Sequence, residues 1–127
     1  MAWKLKAFTV SESNDRTIVS EWYDAQTEDV QQAFYTRMEF LVQLAIWDRP
    51  HVGRLRKDCK GLMEIRLTKN KVEYRPIGYM SGPQEFTFLA FATERDGKFD
   101  PLHICKTAFN RMATIKGNGR RVREIKF

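Results

Sequence analysis

Two cysteines, two histidines, four prolines and seven glycines are all that 127 residues contain of these types, and each shortage excludes something. His51 and His103 stand far apart, and no Cys/His spacing suits zinc. Acids in the middle of the chain come singly, each beside a base, so no cluster of metal-binding carboxylates is predicted. The expectation is therefore no metal and no cofactor. The glycines form neither a phosphate loop nor a dinucleotide fingerprint, and no GxSxG is present. Cys59 and Cys105 read as free thiols of a cytosolic protein. Lys57 and Lys60 flank Cys59, but nothing marks it as a nucleophile. His51 reads as a loop side chain rather than a base. No apolar run reaches the ~18 residues of a membrane helix. The opening MAWKLKAFTVSESND lacks the apolar stretch of a secretory signal. Cytoplasmic location, with no membrane contact, is the expectation.

What is present is hydrophobic and basic. Residues are 43% hydrophobic with nine Phe and three Trp, enough to bury one core, so a single domain over 1–127 is predicted. The net charge of +6 is unevenly spread. Residues 1–48 hold four basic and eight acidic side chains, and residues 49–75 hold nine and three. Residues 76–105 hold two and four, and residues 106–127 hold seven and one. Two basic blocks separated by acidic chain point to a polyanionic partner; a solvated basic surface is the plain alternative.

Periodicity outlines the elements. Trp3–Val10 predicts a first strand and Ile18–Asp24 a short helix. A longer helix is predicted over about Glu28–Ile46, with Thr27 as N-cap and a core stripe of Val30, Phe34, Met38, Leu41 and Ala45. RPHVGRLRKDCKGL reads as a loop. GLMEIRLTKNKVEYRPIGYM reads as two strands turned at Lys69-Asn70-Lys71, with Pro76 marking a bulge or unpaired position. EFTFLAFAT is the most apolar strand and belongs at the sheet centre. Asp100-Pro101 opens a helix over about Leu102–Met112. Gly117-Asn118-Gly119 reads as a flexible break before a basic tail. The predicted class is α+β: a small antiparallel sheet with N-terminal helices on one face, in the order β-α-α-β-β-β-α.

The hairpin carries a Glu-x-Arg on each arm, Glu64/Arg66 and Glu73/Arg75. Guanidinium groups grip phosphate bidentately and stay charged at physiological pH. Fixed cations stabilise the pentacoordinate phosphate that forms when an RNA 2′-hydroxyl attacks its own phosphodiester. Cross-strand ion pairing on a solvated face explains the same pattern.

The series Gly61-Leu62-Met63-Glu64-Ile65-Arg66, Tyr74-Arg75, a strand ending in Phe91, and a helix with Ala108 and Arg111 resembles the RelE/HigB-type toxins of bacterial toxin–antitoxin systems, especially their phage-derived branch. The resemblance spans about Asp29 to Met112. It implies a compact α+β fold and metal-independent cleavage of messenger RNA, mostly on the ribosome. It also implies neutralisation by an antitoxin, often a helix-turn-helix DNA-binding protein. It implies phosphate-binding or catalytic roles for Arg66 and Arg75, with Arg95 and Lys98 replacing part of a lysine cluster that relatives carry after the third strand. Arg54, Arg56, Lys57 and Lys60 match a basic RNA-binding loop. Tyr79, on Arg75's face, reads first as a packing side chain of the sheet, with base stacking as the alternative. In the tail, Arg120 and Arg121 either add RNA contacts or belong to an edge strand. A non-catalytic RNA-binding protein and a phage-derived interaction protein of the same fold are the alternatives.

Overall fold

The computed structural model describes residues 3–126; Met1, Ala2 and Phe127 lie outside the described residues. The element order is β1 (Lys4–Phe8), α1 (Ile18–Asp24), α2 (Glu28–Leu41), β2 (Val52–Arg54), β3 (Met63–Ile65), β4 (Leu67–Lys69), β5 (Val72–Gly82), β6 (Glu85–Arg95), β7 (Lys98–Asp100), α3 (Ile104–Gly117) and β8 (Val122–Ile125). The class is α+β, but the sheet is larger than expected and mixed. Its strands run β2-β3-β5-β6-β1-β8, with β4 also on β5 and β7 on β6. β1 lies parallel to β6, Leu5 beside Phe86 and Ala7 beside Phe88. Parallel neighbours need a long crossover, and the chain through α1 and α2 forms part of it. Alternation along β1 reveals its inward face but not its direction, which is why the sequence suggested an antiparallel sheet.

Helices cover both faces. On one, Ile18 and Val19 of α1 and Phe34, Met38 and Leu41 of α2 pack on Leu5, Ala7, Ile65, Leu67, Phe86 and Phe88. On the other, Ile104, Cys105 and Ala108 of α3 pack on Leu62, Ile77, Leu89, Ala90 and Ala92. β6 sits centrally, as its composition predicted. Ile77 pairs with Ala90 and Gly78 with Phe88, so Leu89 is an extra, bulged residue. The bulge turns both Phe88 and Phe91 toward the α1–α2 face, where their rings stack at 5.9 Å. The carbonyl of Leu89 accepts a hydrogen bond of 2.8 Å from Arg111 of α3, so the interrupted ladder leaves that acceptor satisfied.

Several boundaries differ from expectation for local reasons. α2 stops at Leu41 rather than Ile46, and two indoles bind carbonyls at and just beyond its end. Trp47 Nε1 donates to Leu41 O at 2.8 Å, and Trp3 Nε1 donates to Leu44 O at 2.6 Å. The two indoles stack at 4.2 Å, and Ala45 is left exposed. The 49–62 stretch is not all loop: β2 and a 3-10 turn at Lys57–Cys59 lie within it. α3 begins at Ile104 and runs to Gly117, past the expected Met112. Asn118 then caps a 3-10 turn, accepting from Arg120 N, so the expected break is an ordered connection into β8. β8 pairs antiparallel with β1 as an edge strand.

The cysteines are not free thiols. Cys59, in the 3-10 turn, and Cys105, in the first turn of α3, form a disulfide across a Cα–Cα distance of 5.5 Å. The two positions are 46 residues apart, and only the docking of α3 against the loop before β3 brings them together. No helix among the described residues is long and apolar enough to cross a membrane.

A candidate active-site cluster on the hairpin

The α3 face of the sheet is only partly covered by α3. Beyond it, alternation along the strands turns Glu64, Arg66 and Thr68 to that face from β3, β4 and their junction. Glu73 and Arg75 of β5 and Glu94 of β6 share it. Asn70 and Lys71, both at positive φ (54° and 66°), form the two-residue turn that sets this register. Glu64 pairs with Ile77 and Leu67 with Tyr74, so continuing the register sets Arg66 across from Arg75. Here the ladder is interrupted. Pro76 has no N–H to offer Ile65 across from it, while Arg66 N points the other way and donates to His51 O at 2.8 Å, extending the β2–β3 ladder. Pro76 is thus unpaired toward β3, as expected, but pairs with Phe91 of β6 on its other side.

Two arginines opposite one another repel, and the intervening carboxylates offset this. Glu64 is 5% exposed and lies between the pair. Arg66 Nε donates to its Oε2 at 2.9 Å, while Arg75 Nε stands 3.7 Å from its Oε1. Arg75 is also buried, and each of its three guanidinium nitrogens has a partner. Nε donates to Glu94 at 2.8 Å, one terminal nitrogen to Glu73 at 2.9 Å, and the other to Tyr74 O at 3.0 Å. Arg66 differs. Its side chain is 38% exposed, its guanidinium lies over Gly53, and its terminal nitrogens have no hydrogen-bond partner among the described residues.

Arg37 of α2 and the Pro50-His51 loop close the edge of this patch, giving a cavity of about 540 Å³. Arg37 hydrogen-bonds His51 Nδ1. Because a guanidinium can only donate, that nitrogen accepts, and the neutral imidazole then carries its proton on Nε2. Three arginines (37, 66 and 75) meet three glutamates (64, 73 and 94), so the lining balances to zero without His51. The phosphate-gripping pair expected from sequence does converge, but one member is neutralised within the fold. Sequence reasoning missed Arg37 and set His51 aside. Neither has a recognisable spacing, because α2 and the His51 loop meet only in the folded chain.

The remaining predicted residues fall elsewhere. Arg95 and Lys98 pair across the end of the β6–β7 hairpin, both exposed. Alternation puts them on the face opposite Glu94, so neither joins Arg66. Arg54, Lys60 and Tyr79 line one separate cavity. Arg56 borders a smaller hollow with Trp47, Asp48 and Arg49, and Lys57 is exposed in the 3-10 turn. Arg120 and Arg121 lie toward the β8 edge, across the sheet from the hairpin. Arg120 pairs with Glu12 at 3.2 Å. Arg121 donates to Thr9 O at 3.2 Å and lies over the Phe8 ring at 4.6 Å. No group of His, Cys, Asp or Glu able to hold a metal occurs among the described residues.

Comparison with family models, curated proteins and solved structures finds no match to this chain.

Proposed function

We propose that the chain is a metal-independent endoribonuclease of the RelE/HigB toxin type, acting on messenger RNA at the ribosome and held in check by a helix-turn-helix antitoxin. One observation carries the reading: Arg66, with unused terminal donors, shares a cavity with Glu73, whose carboxylate is half-exposed. Glu73 takes the proton of the 2′-hydroxyl, whose oxygen attacks the adjacent phosphorus. Arg66 donates to the non-bridging oxygens as charge builds on them, and His51 Nε2–H adds a further donor. The P–O5′ bond breaks, the leaving oxygen takes a proton from solvent, and the products are a 2′,3′-cyclic phosphate and a 5′-hydroxyl. Arg75 is a positioning residue here, holding Glu73 and Glu94 rather than phosphate.

A second reading rests on the same cluster. Arg75 is engaged by two carboxylates and a carbonyl within the fold, which leaves Arg66 as the cation that meets phosphate and suits an RNA-binding protein of this fold that does not cut. Purified protein incubated with defined RNA, either with a chelator and no ribosomes or with intact ribosomes in magnesium buffer, separates the two. The nuclease reading expects cyclic-phosphate ends from wild type and losses of roughly 100-fold or more in Arg66→Ala and Glu73→Gln. Intact RNA that is nonetheless bound, in both arms, replaces it with the second reading.

A further inference from the structure

A second cavity, of about 450 Å³, lies between the β2 end, the loop leading into β3, and β5. Its chemistry differs from the cluster above. Arg54 and Lys60 stand at it, Tyr79 forms part of its wall, and Leu55, Leu62 and Met80 supply apolar surface, with no carboxylate in the lining. Tyr79 is half-buried; burial, with the Glu85 carboxylate nearby, pushes its phenol pKa up, so it stays a neutral ring. The loop is fixed in shape: Leu55 N donates to Leu62 O at 2.9 Å, and the Cys59–Cys105 disulfide ties it to α3. Two unopposed cations beside an aromatic and aliphatic wall match a ligand with one anionic end and one flat, weakly polar end.

We infer that this cavity is a nucleotide subsite for single-stranded RNA, with a base on Tyr79 and the adjoining phosphates on Arg54 and Lys60. The inference deepens the ribonuclease reading and rests on it for the choice of RNA. It relocates the electrostatic grip: the anion is held here, where no carboxylate lines the cavity, and the chemistry belongs to the balanced cluster. Stacking is tolerant of sequence, since every base has a π face, so the subsite contributes affinity more than base choice. Holding the loop before the ligand arrives reduces the ordering cost of binding.

The test uses the oxidised full chain and a fluorescent 2′-O-methyl oligoribonucleotide, which binds as RNA but lacks the attacking hydroxyl. Binding is thus read apart from cleavage, and loss of cutting with retained binding counts against the nuclease reading alone. Tyr79→Ala is expected to weaken binding by about 5- to 150-fold, the range of one base stack, while Tyr79→Phe stays close to wild type. Arg54→Glu with Lys60→Glu should shallow the slope of log K against log salt by about 1.4, two phosphates' worth for a single strand. A 5-bromouridine version of the probe, photocrosslinked to wild type and mapped by mass spectrometry, should modify the peptide carrying Tyr79. Unchanged affinity in Tyr79→Ala, or an adduct confined to other peptides, overturns the proposal. The crosslink decides the matter if the alanine variant fails to fold.

Discussion

Arg75 and Glu64 approach to 3.7 Å from neighbouring strands with both side chains 7% exposed, making the centre of the charged patch part of the protein's interior. Breaking a buried pair by removing one partner costs about 3–5 kcal/mol, because the other charge is left behind. Arg75→Ala should therefore lower unfolding free energy by about that amount, read from the urea midpoint at constant m-value. Glu73→Gln, at a half-exposed carboxylate, should cost under about 1 kcal/mol. Equal effects of the two would mean that the Arg75 network contributes no more than a surface pair.

Arg66→Ala and the double variant Arg95→Ala/Lys98→Ala distinguish the two halves of the sequence-based assignment. The first should abolish growth arrest on expression if the cluster cuts RNA. The second should leave arrest intact, since the β6–β7 turn presents its cations on the other face. Loss of arrest in the double variant, with unchanged protein level, would return those residues to the mechanism.

These contrasts show what could be read from residues alone. Helix α1, the α2 stripe, the Asn70-Lys71 turn and the central place of β6 were legible, because each rests on local periodicity or turn chemistry. The convergence of Arg66 and Arg75 was legible too, since alternation sets a face. The neutralisation of Arg75 was not, since Glu94 comes from 19 residues beyond it, and neither was the arrival of Arg37, a further cation, from a helix on the other layer. The indole hydrogen bonds of Trp3 and Trp47 that fix the chain at and beyond the end of α2 are likewise encoded by no helix propensity.

The disulfide was equally hidden, and its contribution is measurable. Closing a loop across a separation of 46 residues limits the unfolded chain by an amount worth about 4 kcal/mol in the chain-entropy account. Protein denatured without reductant should show no thiol reactive to a chromogenic disulfide reagent, and two after reduction. The Cys59→Ser/Cys105→Ser variant should melt at lower temperature, by up to that free energy. Two reactive thiols before reduction would refute the bond, and would also fit the reducing cytosol first expected.

Acid sensitivity follows from three carboxylates held below their ordinary range. Glu85 is lowered chiefly by the Ser81 hydroxyl, with Lys6 adding to it. Asp29 is lowered by Thr27 and then Asn70, which ties the start of α2 to the hairpin turn. Glu12 is lowered by Asn118 and then Arg120. A depressed carboxyl stabilises the fold fully above its unfolded value, 4.5 for Glu and 3.8 for Asp, and the benefit disappears as pH falls through the lower folded value. Stability from these groups should thus be flat above about pH 5 and decline below it. Ser81→Ala should move the Glu85 titration upward in NMR; no movement would remove that hydrogen bond as the cause.

Two glycines should respond to alanine in opposite directions. A Cβ on Gly78 would stand 2.1 Å from the Thr87 carbonyl oxygen and 2.6 Å from the Phe86 ring. Both belong to the central strand, beside the Leu89 bulge, where neither backbone nor a fully buried ring can yield. Gly78→Ala should destabilise by at least the 1–3 kcal/mol of ordinary overpacking (roughly), and its cost should include separation of β5 from β6. Gly117 is the last residue of α3, with nothing within 4 Å of an added Cβ. Gly117→Ala should stabilise by about 0.4–1 kcal/mol, since alanine loses less backbone freedom on entering a helix. Melting temperatures shifting down for the first and up for the second would support the β5–β6 register; a neutral Gly78→Ala would mean that the two strands do not meet as described.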